Sequence, residues 1–155
     1  MSKIFLETFI RAPIDRCFDL SRSVDLHIDS ASQTNEKAIS GVTSGLMGQD
    51  DVVTWSARHF GITQKLSTRI TIYNRPKHFR DSQIQGIFSR FDHDHFFEVE
   101  GDGTLMKDVF DFDCPFGVFG TAVDFLVHYH LEKFLKSRNQ TIKKVAESDE
   151  WKLFL

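Results

Sequence analysis

From Val52 to Asp113 apolar and polar side chains alternate with a period of two, broken by short turn clusters. From Val118 to Val145 that period gives way to apolar residues at three-to-four spacing, among them Phe119, Val123, Leu126, Phe134, Ile142 and Val145. This switch constrains the fold more than any other feature. Val52–Phe60, Ile62–Tyr73, His78–Phe88 and the two arms of Phe91–Asp113 are successive strands, separated by Gly61, by Asn74-Arg75-Pro76 and by Gly101-Asp102-Gly103. Connections this short favour antiparallel neighbours. The last segment has no proline and no glycine after Gly120, so it reads as one helix of roughly 28 residues, about 42 Å long. Its first half is apolar almost all round and should be buried against the sheet. Its second half is amphipathic.

The segment before Val52 is mixed. Lys3–Arg11 alternates as a strand, and Ala12-Pro13-Ile14-Asp15 starts a helix with Pro13 in its first turn. A second short helix covers Ser23–Ala31, Glu36–Ser40 is a short strand, and Gly41–Asp51 is a loop with three glycines. The expected class is α+β: a curved antiparallel sheet wrapped around a long C-terminal helix, with two short helices after the first strand. At 155 residues it is expected to be a single domain, 1–155. The tail Glu147–Leu155 is free to fray or to dock.

Composition narrows the function. The net charge is −3 and no basic stripe is visible, which argues against nucleic acid. No run is long and apolar enough to span a membrane. Cys17 and Cys114 are far apart and without metal-type spacing, so free thiols in a reducing, cytoplasmic setting are expected. Neither a phosphate-binding glycine loop nor a serine nucleophile elbow is present. The chain holds 16 phenylalanines against two tyrosines and two tryptophans. That excess serves either a Phe-packed core or an aromatic-walled cavity.

The chemistry concentrates in the hairpin Phe91–Asp113. Phe91, His93, His95, Phe97 and Val99 share one strand face, and Met106, Asp108, Phe110 and Phe112 share a face of the return strand. If both face the core, two imidazoles and a carboxylate lie where apolar residues should be. A turn pairing Glu100 with Gly103 sets His95 across from Asp108, at about 5 Å between Cβ atoms. Two readings fit: an acid-base pair, or a buried polar pair that pins the register. A metal site would need a third ligand such as His59 or Asp108, and no cysteine joins the set, so neither metal nor cofactor is expected.

Other positions are weighed the same way. Asp81 and Gln83 share a strand face and point either to a pocket or to solvent. Trp55 is core or pocket wall, whereas Arg58, on the opposite face, is a surface residue. Ile62, Leu66, Ile70 and Ile72 form one face of their strand. His27 and His78 look like surface residues. His128 and His130 are two apart on a helix and face different ways, so they are no joint ligand set. Cys114 has no base beside it in sequence.

The element order, with Phe9-Ile10-Arg11-Ala12-Pro13-Ile14-Asp15-Arg16-Cys17-Phe18 at its start, resembles the helix-grip superfamily (SRPBCC). That group includes START lipid-transfer domains, polyketide cyclases and birch-pollen-allergen-type proteins. The segments Trp55-Ser56-Ala57-Arg58-His59-Phe60-Gly61, Phe79-Arg80-Asp81-Ser82-Gln83, His93-Asp94-His95-Phe96, Gly103-Thr104-Leu105-Met106-Lys107-Asp108 and Pro115-Phe116-Gly117 are similar to a bacterial ligand-binding branch without an assigned substrate. The resemblance implies a deep pocket between sheet and long helix. It implies no reaction, because the fold hosts carriers, receptors and enzymes.

The expected function is therefore binding of a small hydrophobic or aromatic molecule (lipid, polyketide or isoprenoid-like). The candidate contacts are Trp55, His59, Asp81, Gln83, Phe88, His93, His95, Phe97, Asp108, Phe110 and Leu126. The first alternative is a cofactor-free cyclase or aromatase using His95 and Asp108. The second is a stress or regulatory module that binds a protein by its surface. The expected partner is the small ligand, and the expected state a monomer or weak homodimer.

Overall fold

The computed structural model describes residues 2–114 and 120–155. The Pro115-Phe116-Gly117 end of the sheet and the helix start at Val118 and Phe119 lie outside the described residues. Seven strands form one antiparallel, curved sheet: β1 (Ser2–Ile10), β2 (Lys37–Gly41), β3 (Val52–His59), β4 (Ile62–Asn74), β5 (His78–Gln85), β6 (Arg90–Glu100) and β7 (Gly103–Asp113), in the spatial order β1-β7-β6-β5-β4-β3-β2. Helices α1 (Ile14–Ser21) and α2 (Val24–Ser30) follow β1, and α3 (Gly120–Ala146) closes the chain with a 3₁₀ turn at Asp149–Leu153. This is the helix-grip arrangement anticipated from the element order.

Local chemistry sets the joints. Ser23 caps α2 by accepting a bond from the Leu26 amide, and Pro13 stands just before α1 at φ −60°, where its missing N–H costs nothing. The β6–β7 turn pairs Glu100 with Gly103, and Gly101 takes the positive φ of 56° at its first central position. Gly103 has a second duty: a Cβ there would meet the Ile10 carbonyl at 2.3 Å, so only glycine lets β7 lie this close to the end of β1. The tail docks rather than frays. Trp151 and Phe154 pack on the core, and the Arg16 guanidinium sits 4.2 Å over the Trp151 ring.

Two buried clusters form the core. One surrounds Phe18, which packs edge-on against Tyr73, Phe79 and Phe97 at 5.2–5.6 Å, beneath α1, α2 and the end of α3. The other holds Ile4, Leu6, Phe91, Phe110, Phe112 and Leu135. Each buried Phe or Leu contributes on the order of 2 kcal/mol by leaving water. The rows of the sheet explain why there are two. Phe97 opposite Met106 belongs to the first cluster, and Phe91 opposite Phe112 to the second. Between them run the rows Phe79–His95–Asp108–Leu6 and Ile70–Asp81–His93–Phe110–Ile4, in which polar groups interrupt the apolar face.

Three expectations need correction. Ile72 does not share the inner face of β4: the register shifts between Ile70 and Ile72, and this bulge brings Tyr73 against Phe18 instead. Val99 is 70% exposed, because β5 pairs with β6 only as far as Phe96 and leaves Val99 without a strand on that side. The first half of α3 is not buried against the sheet. Phe125 (70%), Leu126 and Tyr129 are exposed, and this part of the helix spans a cavity while the second half, from Leu135 to Ala146, supplies its core contacts.

Candidate functional site

A cavity of about 470 Å³ lies between the sheet and the first half of α3. Apolar walls come from Val53, Trp55 and Leu66 on β3–β4, Phe91 and Phe110 on the hairpin, and Leu131 on α3. Two groups of histidines face it, one at a closed end and one at the rim.

The closed end is built on the hairpin register. His95 lies directly opposite Asp108, as the Glu100–Gly103 turn requires. Yet the short bonds run diagonally: His93 Nε2 lies 2.8 Å from Asp108 Oδ1, and His95 Nε2 lies 2.8 Å from Asp81 Oδ2. The second nitrogen of His95, Nδ1, is 3.2 Å from Asp108 Oδ1 but outside hydrogen-bond geometry. The two imidazoles lie against each other at a tilt of 34° with centroids 3.8 Å apart, and His95 also stacks on Phe79 at 4.2 Å. From α3, Asn139 donates to Asp108 Oδ2 at 2.7 Å, and Arg138 brings Nη1 to 3.6 Å from Oδ1 while Nη2 donates to the Ser21 carbonyl. One buried carboxylate on β7 thus anchors two histidines of β6 and an amide and a guanidinium of α3.

The electrostatics follow. Burial opposes ionisation of Asp108, but the bond from His93 and the closeness of His95 prevail and hold its pKa well below the ordinary carboxylate value. Asp81 is lowered too: burial raises it, and the His95 bond outweighs that. Burial likewise opposes charge on His95, yet Asp108 and Asp81 raise its pKa above the usual imidazole value. His93 goes the other way. Burial, then the charge of His95, push it down to about 4 despite Asp108. These shifts favour the protonated form of His95 and the neutral form of His93, whose Nε2–H donates to Asp108 and leaves Nδ1 as its lone-pair nitrogen. Two adjacent histidines held in opposite states form the arrangement from which acid and base roles are drawn.

At the rim, His59 from the end of β3 and His130 from α3 bond to each other, Nδ1 to Nε2 at 2.8 Å. Burial lowers both pKa values, so one neutral ring donates to the other. Phe60, in the left-handed region at φ 53°, lies tilted against His130 with ring centroids 4.5 Å apart. Farther in, His27 is held by Glu36 at 2.8 Å and packs on Trp55 at 4.3 Å.

Trp55, His59, Asp81, Phe88, His93, His95, Phe110 and Leu126 all line this cavity. Three other candidates do not. Gln83 turns away to clasp the backbone of Phe88, donating to its carbonyl at 2.7 Å and accepting from its amide, and so shapes the loop after β5. Phe97 is core beside Phe18 and Phe79. Asp108 is fully buried behind the imidazoles and acts through them. His27 and His78 are not surface residues: the first lines the cavity, and the second bonds Asp94 at 2.6 Å beside the Arg80–Asp94 pair. Arg58 is exposed, and the His128 ring lies 6.4 Å from that of Phe112. Cys114 has its thiol pushed up to about 11 by burial and by Asp124, which makes it a poor nucleophile.

Arg138 and Asn139 are the participants that the strand patterns did not reveal. Their signal was available. They sit three and four residues after Leu135 and before Ile142, on the apolar stripe of α3, where two polar side chains require buried partners. Asp81, His93 and His95 also bring one possible metal-ligand atom each within 4.8 Å of one another. The Asp81–His95 contact is itself a hydrogen bond, and Arg138 stands beside the neighbouring carboxylate, so the group fits a proton-bridged network better than a cation site.

Neither a protein-family model nor a curated protein matches the chain. Solved structures do. TTHA0849 from Thermus thermophilus superposes with a TM-score of 0.76 at 16% identity, covering 92% of this chain and 95% of that one. The Zhui aromatase/cyclase from Streptomyces sp. R1128 gives 0.72 at 13% identity over 94% and 93%. A START superfamily protein from Mycobacterium smegmatis gives 0.70 at 12% identity over 92% and 98%. At such identities the likeness concerns the backbone alone, and on that basis this chain has the START-like (SRPBCC) helix-grip fold.

Proposed function

We propose that this chain is a single-domain binding protein for a small hydrophobic or aromatic molecule of lipid, polyketide or isoprenoid type, held between the sheet and α3. One observation carries the reading: a mainly apolar cavity of about 470 Å³ ends on a buried cluster of Asp81, His93, His95 and Arg138. Greasy walls with a few oriented polar groups are what small-molecule sites use. In this reading Trp55, Phe88, Phe110 and Leu126 supply walls, and His59, Asp81, His93 and His95 supply polar contacts. Phe97 and Asp108 support them from behind. No helix among the described residues is long and apolar enough to cross a membrane. A cytoplasmic monomer or weak homodimer needing no cofactor completes the proposal. Native mass spectrometry of freshly purified protein tests it: a co-purified hydrophobic species of a few hundred daltons is expected. Failure of hydrophobic dyes to bind, with no co-purified species, would count against it.

A cofactor-free cyclase or aromatase is the second reading. It draws on the opposite protonation states of His93 and His95 within one cavity and on the Zhui aromatase/cyclase among the similar folds. There His93 would accept a proton through Nδ1, while His95, its ring nitrogens turned to Asp81 and Asp108, would hold a charge beside it. His95→Gln separates the two readings. A carrier keeps most of its affinity, whereas an enzyme loses turnover while still binding.

A further inference from the structure

Resting on the binding function proposed above, we infer that the closed end of the cavity selects a ligand whose polar group is an uncharged hydroxyl, as in a phenol, enol or alcohol, over a carboxylate or an ammonium.

The charges there cancel within the protein. His95 has each ring nitrogen close to a carboxylate, Nε2 bonded to Asp81 at 2.8 Å and Nδ1 at 3.2 Å from Asp108, a placement that favours the doubly protonated ring. Arg138 is the second cation, close to Asp108. Two cations thus face two anions, and no charge remains for a ligand to neutralise. The other charged residues on the walls do not alter this. Arg22 is tied to Asp19 at 2.7 Å, Glu36 is tied to His27, and Lys65 is exposed. A carboxylate or ammonium driven into the closed end would be buried without a partner, which costs several kcal/mol.

Hydrogen bonding points the same way. His93 lines the cavity and spends Nε2 on Asp108. The one sealed side-chain polar atom without a hydrogen bond among the described residues is His95 Nδ1, so His93 Nδ1 is open to the cavity. It is an acceptor waiting for a donor. Arg138 also lines the cavity; among the described residues its hydrogen bonds go to Asn139 and Ser21, with Asp108 at 3.6 Å, so its five N–H groups are not all taken. A hydroxyl donates and accepts at once and can serve both. A carbonyl can only accept, and a carboxylate sets negative charge against the His93 lone pair.

The test is a fluorescence titration of the full chain with five probes sharing one skeleton: pyrene, 1-pyrenemethanol, 1-pyrenecarboxaldehyde, 1-pyrenecarboxylate and 1-pyrenemethylammonium. The alcohol should bind tightest, by a few-fold over the aldehyde and by about tenfold or more over the two ions. His93→Phe, or His93→Asn should the former misfold, should bring the alcohol down toward pyrene while pyrene itself still binds. Equal affinities across the series, or a carboxylate that matches or beats the alcohol, would overturn the selectivity and leave the binding function standing. If no probe binds, pyrene included, both fall together.

Discussion

The cavity has a histidine pair at each end, and they are held in different ways. His93 and His95 are locked by carboxylates, and Asp108 in turn is gripped by Asn139 and Arg138 from α3. His59 and His130 hold only each other, across a single bond between β3 and α3. Both pairs are imidazoles in a largely apolar setting, yet one member of the inner pair is driven up in pKa while both members of the outer pair go down. Burial alone does not decide a histidine's state: His95, between two carboxylates, goes up, whereas His93, with one carboxylate and His95 beside it, goes down. The inner end is thus a firmly held polar anchor, and the outer end is a light clasp.

The largest expected effect comes from removing the inner anchor. Asp108→Asn keeps the side-chain shape but leaves the His95 imidazolium and the Arg138 guanidinium sharing one carboxylate, Asp81. Breaking a buried ion cluster from one side costs on the order of 3–5 kcal/mol. Urea unfolding at pH 7 should show that loss as a lower midpoint with an unchanged slope. A loss under about 1 kcal/mol would mean that the anchor is no stronger than an exposed pair, and the contrast between the two ends would collapse.

Acid sharpens the same contrast. His93 is neutral when folded, with a pKa near 4, but takes a proton near 6.5 when unfolded. Its contribution is therefore complete above about pH 6.5 and is lost as pH falls toward 4, on the order of 3 kcal/mol in all. His59 and His130, also lowered, add loss in the same direction. His95 runs opposite: its raised pKa stabilises below about 6.5, and that part is lost as pH rises through its folded value. Asp81 and Asp108 are depressed, so their contributions persist until pH drops below the ordinary carboxylate range. Stability measured from pH 7 to 4 should fall steeply in the wild type and less steeply in His93→Phe. Parallel curves for the two proteins would show that His93 is not held neutral.

Much of the inner end was legible in the chain. The turn at Gly101-Asp102 fixes which residues face one another, so His95 opposite Asp108 follows from strand period and loop length alone. What does not follow is where the side chains bond. An imidazole reaches diagonally as easily as straight across, and here the diagonal partners, Asp81 and Asp108, come from the strands on either side of β6. Gln83 shares the strand parity of Asp81, but the loop at Gly86–Phe88 folds back and claims its amide. Ile72 lost its face to a bulge that leaves no mark in period-two counting. The exposed first half of α3 misled for a different reason: an apolar helix surface signals burial whether the neighbour is sheet or cavity. Arg138 and Asn139 were visible as polar intrusions on an apolar stripe, but only the three-dimensional packing could say that they meet Asp108.

A middle-sized effect tests the link from α3 to that anchor. Asn139→Ala removes the 2.7 Å bond to Asp108 and leaves one buried carboxylate oxygen without that donor. A loss of about 1–3 kcal/mol is expected, smaller than for Asp108→Asn because the imidazoles remain. Combining the two changes should cost less than the sum of the single losses, since both act through one carboxylate. Strict additivity, measured by the same urea midpoints, would show that Asn139 stabilises the helix by some other contact.

The smallest effect belongs to the rim. His59→Ala removes one bond between two neutral rings and a ring contact with Phe134, and it leaves no charge unpaired. About 1 kcal/mol or less should be lost at pH 7.5. The change should show instead in exchange. The clasp joins the β3–β4 turn to the half of α3 that spans the cavity, and local opening costs least where few buried contacts hold a segment. Stopped-flow release of 1-pyrenemethanol should be faster in His59→Ala than in the wild type, with the equilibrium preference for the alcohol over the carboxylate retained. Asp108→Asn should do the reverse, disturbing the preference more than the rate. If His59→Ala instead matched Asp108→Asn in lost stability, or erased the selectivity while leaving release unchanged, the two ends would not divide anchor from clasp, and the rim pair would have to be counted as part of the recognition site.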